Sequence, residues 1–224
     1  MTITNITSTD HPLSCPDQSR ERSPALPRGR LMFALDATAS RAPTWAIARE
    51  LQAKMFREAA PIGYLHVQLV YYGGASCRAS RWKESGEELA QIMNGIACEA
   101  GSTQIGKVLT HAIQENEKAP VQALVFIGDA MEEKIDELAG KASELGKAGV
   151  PIFIFQEGTD PDVRNAFRLL ALKSGGEFFE FNPNKPRAVE QLSDQLNAVA
   201  RLAVGDVEAL QRIGVAGVLT DQRD

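Results

Sequence analysis

The chain has 224 residues and a formal net charge of −5. That length suits one domain with a sizeable core, and the acidic balance argues against a nucleic-acid binder, which usually carries a basic stripe. Three cysteines, Cys15, Cys77 and Cys98, cannot all pair within the chain and form no CxxC motif, so a reduced, cytoplasmic setting is expected.

Residues 1–28 are rich in Ser, Thr, Pro and charge. They cannot bury enough apolar surface to offset their ordering entropy, and are read as a disordered tail, either a spacer or a docking segment. The same stretch lacks the apolar centre of a signal peptide, and no later run is long enough for a membrane span. From Arg30 onward short apolar runs alternate with helical patterns. "RLMFALD" is a buried strand ending in a carboxylate, and "TWAIARELQAKMFREAA" spaces its apolar residues as a helix does. "GYLHVQLVYY" is a strand, and "ASCRASRW" contains a second one paired to it through Gly73 and Gly74.

"GEELAQIMNGIACEA" and "TQIGKVLTHAIQENEK" read as two helices separated by a Gly-started loop. "VQALVFIGD" is a strong strand, followed by the helix "MEEKIDELAGKASELGKAG". "VPIFIFQEG" and "GEFFEFN" are strands around the helix "DPDVRNAFRLLALKSG", and "KPRAVEQLSDQLNAVARLAV" is a closing amphipathic helix. Alternation of this kind predicts an α/β fold: a Rossmann-like three-layer sandwich whose central sheet of about six strands is mostly parallel, with one antiparallel edge strand. The strands "LMFAL", "ALVFI" and "PIFIF" are apolar almost throughout, as strands covered on both faces are. The folded domain spans 29–204, and 205–224 is an extension with room for one short helix.

Sites in open α/β sheets form where loops leave the carboxyl ends of strands. Asp36 and Asp129 each follow an apolar strand there. Asp36 is followed by hydroxyls at alternate positions, Thr38 and Ser40, and Thr103 lies in the loop "AGSTQ". Two carboxylates and three hydroxyls form an all-oxygen set suited to a small hard cation, Mg2+ first, with Mn2+ or Ca2+ as substitutes. Read alone, "DATAS" fits a helix N-cap as well as a ligand loop.

Asp36-x-Thr38-x-Ser40, a distant Thr103 and a distant Asp129 together resemble the metal-ion-dependent adhesion site of von Willebrand factor A domains. The resemblance runs over about residues 30–204. Thr38 stands where the family's first serine would, keeping the hydroxyl, and Ala130 follows Asp129 where the family often has glycine. The resemblance implies that Thr38, Ser40 and Thr103 touch the ion, while Asp36 and Asp129 hold its waters or orient the hydroxyls. It implies a non-enzymatic protein-interaction module whose partner supplies an Asp or Glu carboxylate to the ion. It also implies work beside an AAA+ ATPase or in a multiprotein assembly, as in stand-alone bacterial examples.

Phosphoryl transfer is the rival class. Gly101, Gly106 and Lys107 match most of a P-loop, but Val108 stands where the magnesium-binding Ser or Thr is needed, and a helical pattern precedes the loop. An aspartyl phosphatase built on Asp36 needs a second Asp at the position of Thr38. Glu132 and Glu133 are expected in the first turn of a helix, favoured by its dipole, with a role in repelling or mimicking the partner's carboxylate as the other reading. Arg41 and Trp45 are candidates to flank the site, Trp45 equally for helix packing. His66 and His111 are expected to be packed or solvated rather than ligands.

Overall fold

The computed structural model describes residues 28–45, 47, 50, 63–182, 185 and 187–211. Strand β1 (Arg28–Asp36) lies at the centre of the sheet, and its side chains from Leu31 to Asp36 are all buried. It is flanked by β2 (Tyr64–Gly73) and β4 (Ala123–Gly128), both parallel to it. Beyond β2 lies β3 (Ser76–Ala79), antiparallel, and beyond β4 lie β5 (Ile152–Glu157) and β6 (Phe178–Phe181), both parallel. The order is β3-β2-β1-β4-β5-β6, six strands with one antiparallel edge, as the alternation predicts. Gly73 and Gly74 do turn the β2–β3 hairpin, with Gly74 at φ +56°, where a side chain is disfavoured.

Among the described residues, five α-helices cover the sheet: α1 (Gly86–Asn94), α2 (Ile105–Lys118), α3 (Ile135–Lys147), α4 (Pro161–Ser174) and α5 (Ala188–Ala203). The pleat sends alternate residues to opposite faces. Leu31, Phe33 and Leu35 join the core under α1 and α5, while Met32 and Ala34 join the core under α2, α3 and α4. β4 divides the same way, with Val125 and Ile127 on one side and Leu124 and Phe126 on the other.

Helix ends follow local chemistry. Asp160 caps α4 by accepting from the Asp162 and Val163 amides at 2.8 and 3.2 Å; Pro161 opens the helix and Gly175, at φ +72°, closes it.

Two sequence expectations need correction. The helix expected to run from Gly86 to Ala100 ends at Asn94. Beyond Gly95 the chain is drawn out beside β1, where the Glu99 amide donates to the Ala37 carbonyl at 3.0 Å. The helix expected from Met131 starts instead at Ile135, and its first residues form a loop. Residues 207–210 form turns. The expected tail, the end of the extension and most of the helix expected over 44–60 lie outside the described residues.

Candidate functional site

The chain leaves β1 toward β2 on one side and leaves β4 toward β5 on the other, so β1 and β4 flank the point where the strand order reverses. Loops diverge there and leave a crevice beyond the carboxyl ends of the strands. Asp36 is the last residue of β1 and Asp129 follows the last residue of β4. The register pairs Leu35 with Ile127, which makes the two aspartates neighbours across that edge.

Asp36 is 0 % exposed. One of its oxygens accepts from the Thr38 amide at 2.8 Å and the other from the Tyr72 hydroxyl at 3.1 Å. Burial pushes its carboxyl above the ordinary range; the bonds from Thr38 and Tyr72 oppose that and the charge of Asp129 adds to it. Burial also pushes the Tyr72 phenol well up, and Asp36 adds to the shift, so Tyr72 stays a neutral phenol whose hydroxyl donates to Asp36. The Thr38 and Ser40 hydroxyls lie 3.1 Å apart, Thr38 buried and Ser40 exposed. The alternate spacing in "DATAS" therefore brings both hydroxyls to one side of the loop. Ala39–Thr44 is a 3-10 turn to which the Thr38 side chain gives no cap bond, contrary to the capping reading.

Thr103 reaches the site through the extended segment after α1. Glu99 pairs with Thr38 as a parallel bridge, and four residues later Thr103 meets the loop that follows Asp129. Its hydroxyl accepts from the Glu132 amide at 3.0 Å, and its own amide donates to the Glu132 carboxylate at 3.2 Å. The three segments carrying the five candidate ligands thus touch one another. Gly101 permits the approach: a Cβ there would lie 2.2 Å from the Gly74 carbonyl oxygen.

Asp129 is half-buried, and its Oδ1 has no hydrogen-bond partner among the described residues. A shielded carboxylate oxygen without a donor costs free energy unless something outside the protein atoms satisfies it. Among the described residues no group of three or more His, Cys, Asp and Glu side chains is arranged to hold a metal. An ion here would therefore need the hydroxyls.

Several side chains take other parts than the sequence suggested. Glu133 precedes α3 and accepts from the Ile105 and Gly106 amides at 2.8 and 2.6 Å, so it caps α2 rather than its own helix. Arg41 does not face a partner: it is 2 % exposed and ion-paired with Glu157 at the end of β5. Its burial, unlike its presence beside the motif, left no trace in the sequence pattern. Trp45 is buried and donates to the Met93 carbonyl at 3.3 Å, a packing role against α1. His111 bonds the Gln68 side chain at 3.0 Å and His66 faces Glu84 at 3.3 Å, neither near the site. Lys107 is exposed and donates to the Gln104 side chain at 2.7 Å.

The architecture is that of a von Willebrand factor A domain. Its solved neighbours include a conserved hypothetical protein, BatB, from Bacteroides thetaiotaomicron, with a TM-score of 0.62 at 14% identity over 77% of this chain and 99% of that one. The VWA domain of SpRpn10 aligns with a TM-score of 0.61 at 13% identity, over 75% of this chain and 94% of that one. Proximal thread matrix protein 1 from the mussel byssus, with a zinc-occupied MIDAS motif, aligns with a TM-score of 0.58 at 18% identity, over 80% of this chain and 46% of that one. No family model matches the sequence, and no curated protein does either. Identities this low carry the fold alone. Among the described residues no helix is long and apolar enough to cross a membrane.

Proposed function

We propose that this domain is a non-enzymatic protein-interaction module whose site holds a divalent ion, Mg2+ first and Mn2+ or Ca2+ as substitutes. Thr38, Ser40 and Thr103 would offer it hydroxyl oxygens, with Asp36 and Asp129 holding its waters and orienting those hydroxyls. Bound there, the ion would act as a Lewis acid with a position open to an Asp or Glu of a partner protein, in a cytoplasmic multiprotein assembly. The observation that carries this reading is the Asp129 oxygen without a partner, beside the fully buried Asp36. A neighbour of the same fold with zinc in its MIDAS motif supports it.

The chain's own residues account for the rest. Tyr72 and the Thr38 amide fix both oxygens of Asp36, and Glu132 fixes the Thr103 loop. Phosphate binding at the start of α2 is disfavoured, because the Ile105 and Gly106 amides a P-loop would offer already bond the Glu133 carboxylate. The test is calorimetric titration of Mg2+ into the wild type and Asp129→Asn. Saturable binding by the first, lost in the second, supports the site; absence of Mg2+, Mn2+ and Ca2+ binding by the wild type removes it. Tight ATP binding abolished by Lys107→Ala would favour the phosphoryl-transfer class instead.

A further inference from the structure

The residue after the "DATAS" motif is a buried cation. Arg41 is held there by its backbone: its amide donates to the Thr38 carbonyl at 3.0 Å, in the first turn after the ligand loop. Its guanidinium is 2 % exposed and pairs with Glu157, whose Oε2 also accepts from the Thr44 hydroxyl at 2.8 Å. Arg41 Nε has no hydrogen-bond partner among the described residues, and neither does Asp129 Oδ1. Two shielded groups of opposite charge therefore lie in one region, each incompletely satisfied. Gly128 pairs with Gln156 across β4 and β5, which sets Asp129 beside Glu157 and so beside the guanidinium that Glu157 holds. Desolvation disfavours the charged guanidinium; Glu157 in contact with it counters that, and the charges of Asp129 and Asp36 add to the effect.

Asp36, Asp129 and Glu157 face one guanidinium, and the carboxylates of Glu132 and Glu133 lie on the adjoining Thr103 loop and helix start. The region therefore keeps an excess of negative charge that a divalent ion would reduce. The same aspartates that would hold the ion also stabilise Arg41, so ion and guanidinium draw on one pair of charges. Like charges repel strongly in a poorly solvated setting.

We propose that Arg41 is a built-in counter-cation that sets the metal affinity of the site, and that Glu157 governs it by holding the guanidinium away from Asp36 and Asp129. The proposal rests on the metal reading above. Without the ion, Arg41 compensates the acid pair and keeps the empty domain folded. With the ion, the two positive charges oppose each other, and the pair that the guanidinium already makes with Glu157 keeps it off the ion. The site is thereby tuned to a weaker, more readily exchanged ion than its five oxygens alone would give.

Calorimetric Mg2+ titration of Arg41→Gln, Arg41→Lys, Glu157→Gln and Asp129→Asn decides it, with each variant's melting temperature recorded with and without Mg2+. Arg41→Gln is expected to bind at least tenfold more tightly than wild type, to melt lower without the ion and to gain more degrees from it. Arg41→Lys, which keeps the charge, is expected to return toward wild-type affinity. Glu157→Gln, which frees the guanidinium, is expected to bind several-fold more weakly. Unchanged or weaker binding by Arg41→Gln, with Asp129→Asn still abolishing it, overturns the role of Arg41 and leaves the metal site standing. If Arg41→Gln does not fold, unchanged affinity in Glu157→Gln overturns the role by itself. Lack of binding by wild type and all variants removes the metal reading and this inference together.

Discussion

Glu133 does for helix α2 what that helix's own first residue does not. Gln104, at the N-cap, makes no side-chain cap bond, and the amides of Ile105 and Gly106 are met instead by a carboxylate 28 and 27 residues further along the chain. Such a contact ties the loop after β4 to the start of α2 and places negative charge at the positive end of a helix dipole. Glu133→Ala is expected to cost about 1–2 kcal/mol, the size of a lost cap, read as a lower urea midpoint with an unchanged slope. It is expected to weaken Mg2+ binding only modestly, because no candidate ligand is removed. A glutamate pair ahead of an apolar helix pattern announces a helix-dipole contact correctly. The helix it serves is hidden from the sequence, because "AMEEK" stays in the loop that meets Thr103 and α3 opens only at Ile135.

The strands are legible because their side chains must satisfy two buried faces at once, and "LMFAL", "ALVFI" and "PIFIF" satisfy both. Helix ends are less so. The apolar periodicity of "GEELAQIMNGIACEA" runs past Asn94, but Gly95 closes the helix as its C-cap, and Glu99 bonding to Ala37 holds the chain beyond it extended. The site depends on that stop, since the extended segment carries Thr103 from the edge of β1 to the loop after β4. Gly101 is the element's tightest point. Gly101→Ala would set a methyl 2.2 Å from the Gly74 carbonyl oxygen, forcing the β2–β3 turn and the Thr103 loop apart. The expected cost is about 1–3 kcal/mol, as for other overpacked positions. Mg2+ affinity is expected to fall with it although every ligand atom remains. Wild-type affinity in Gly101→Ala would mean that the position of Thr103 does not matter to the ion.

Across the whole domain, the ends of the sheet divide the work. At the carboxyl ends of β1 and β4 the polar groups are left short of partners, while the opposite end holds a network that is fully engaged. There Glu115 of α2, only 6 % exposed, accepts from Trp82 Nε1 at 2.7 Å and Lys118 Nζ at 2.6 Å, and lies 3.3 Å from the Arg30 guanidinium. Arg30 in turn stacks over the Trp82 ring at 3.9 Å. The network joins β1, α2 and the segment after β3. Burial alone would raise the Glu115 carboxyl, but the bonds from Lys118 and Trp82 and the nearby charges of Lys118 and His111 outweigh it and hold it below the ordinary value. A carboxyl depressed by folding contributes stability above its unfolded value, about 4.3. That contribution is lost as pH falls through the lower folded value. Glu115→Gln is therefore expected to be less stable than wild type at neutral pH and to lose less on acidification below about pH 4.3. Urea unfolding at a series of pH values measures the difference. Because the network lies at the far end of β1 from Asp36, the same variant is expected to bind Mg2+ as wild type does at pH 7. Loss of the ion in Glu115→Gln would mean instead that the two ends of the sheet are coupled through the core, against the separation the packing implies.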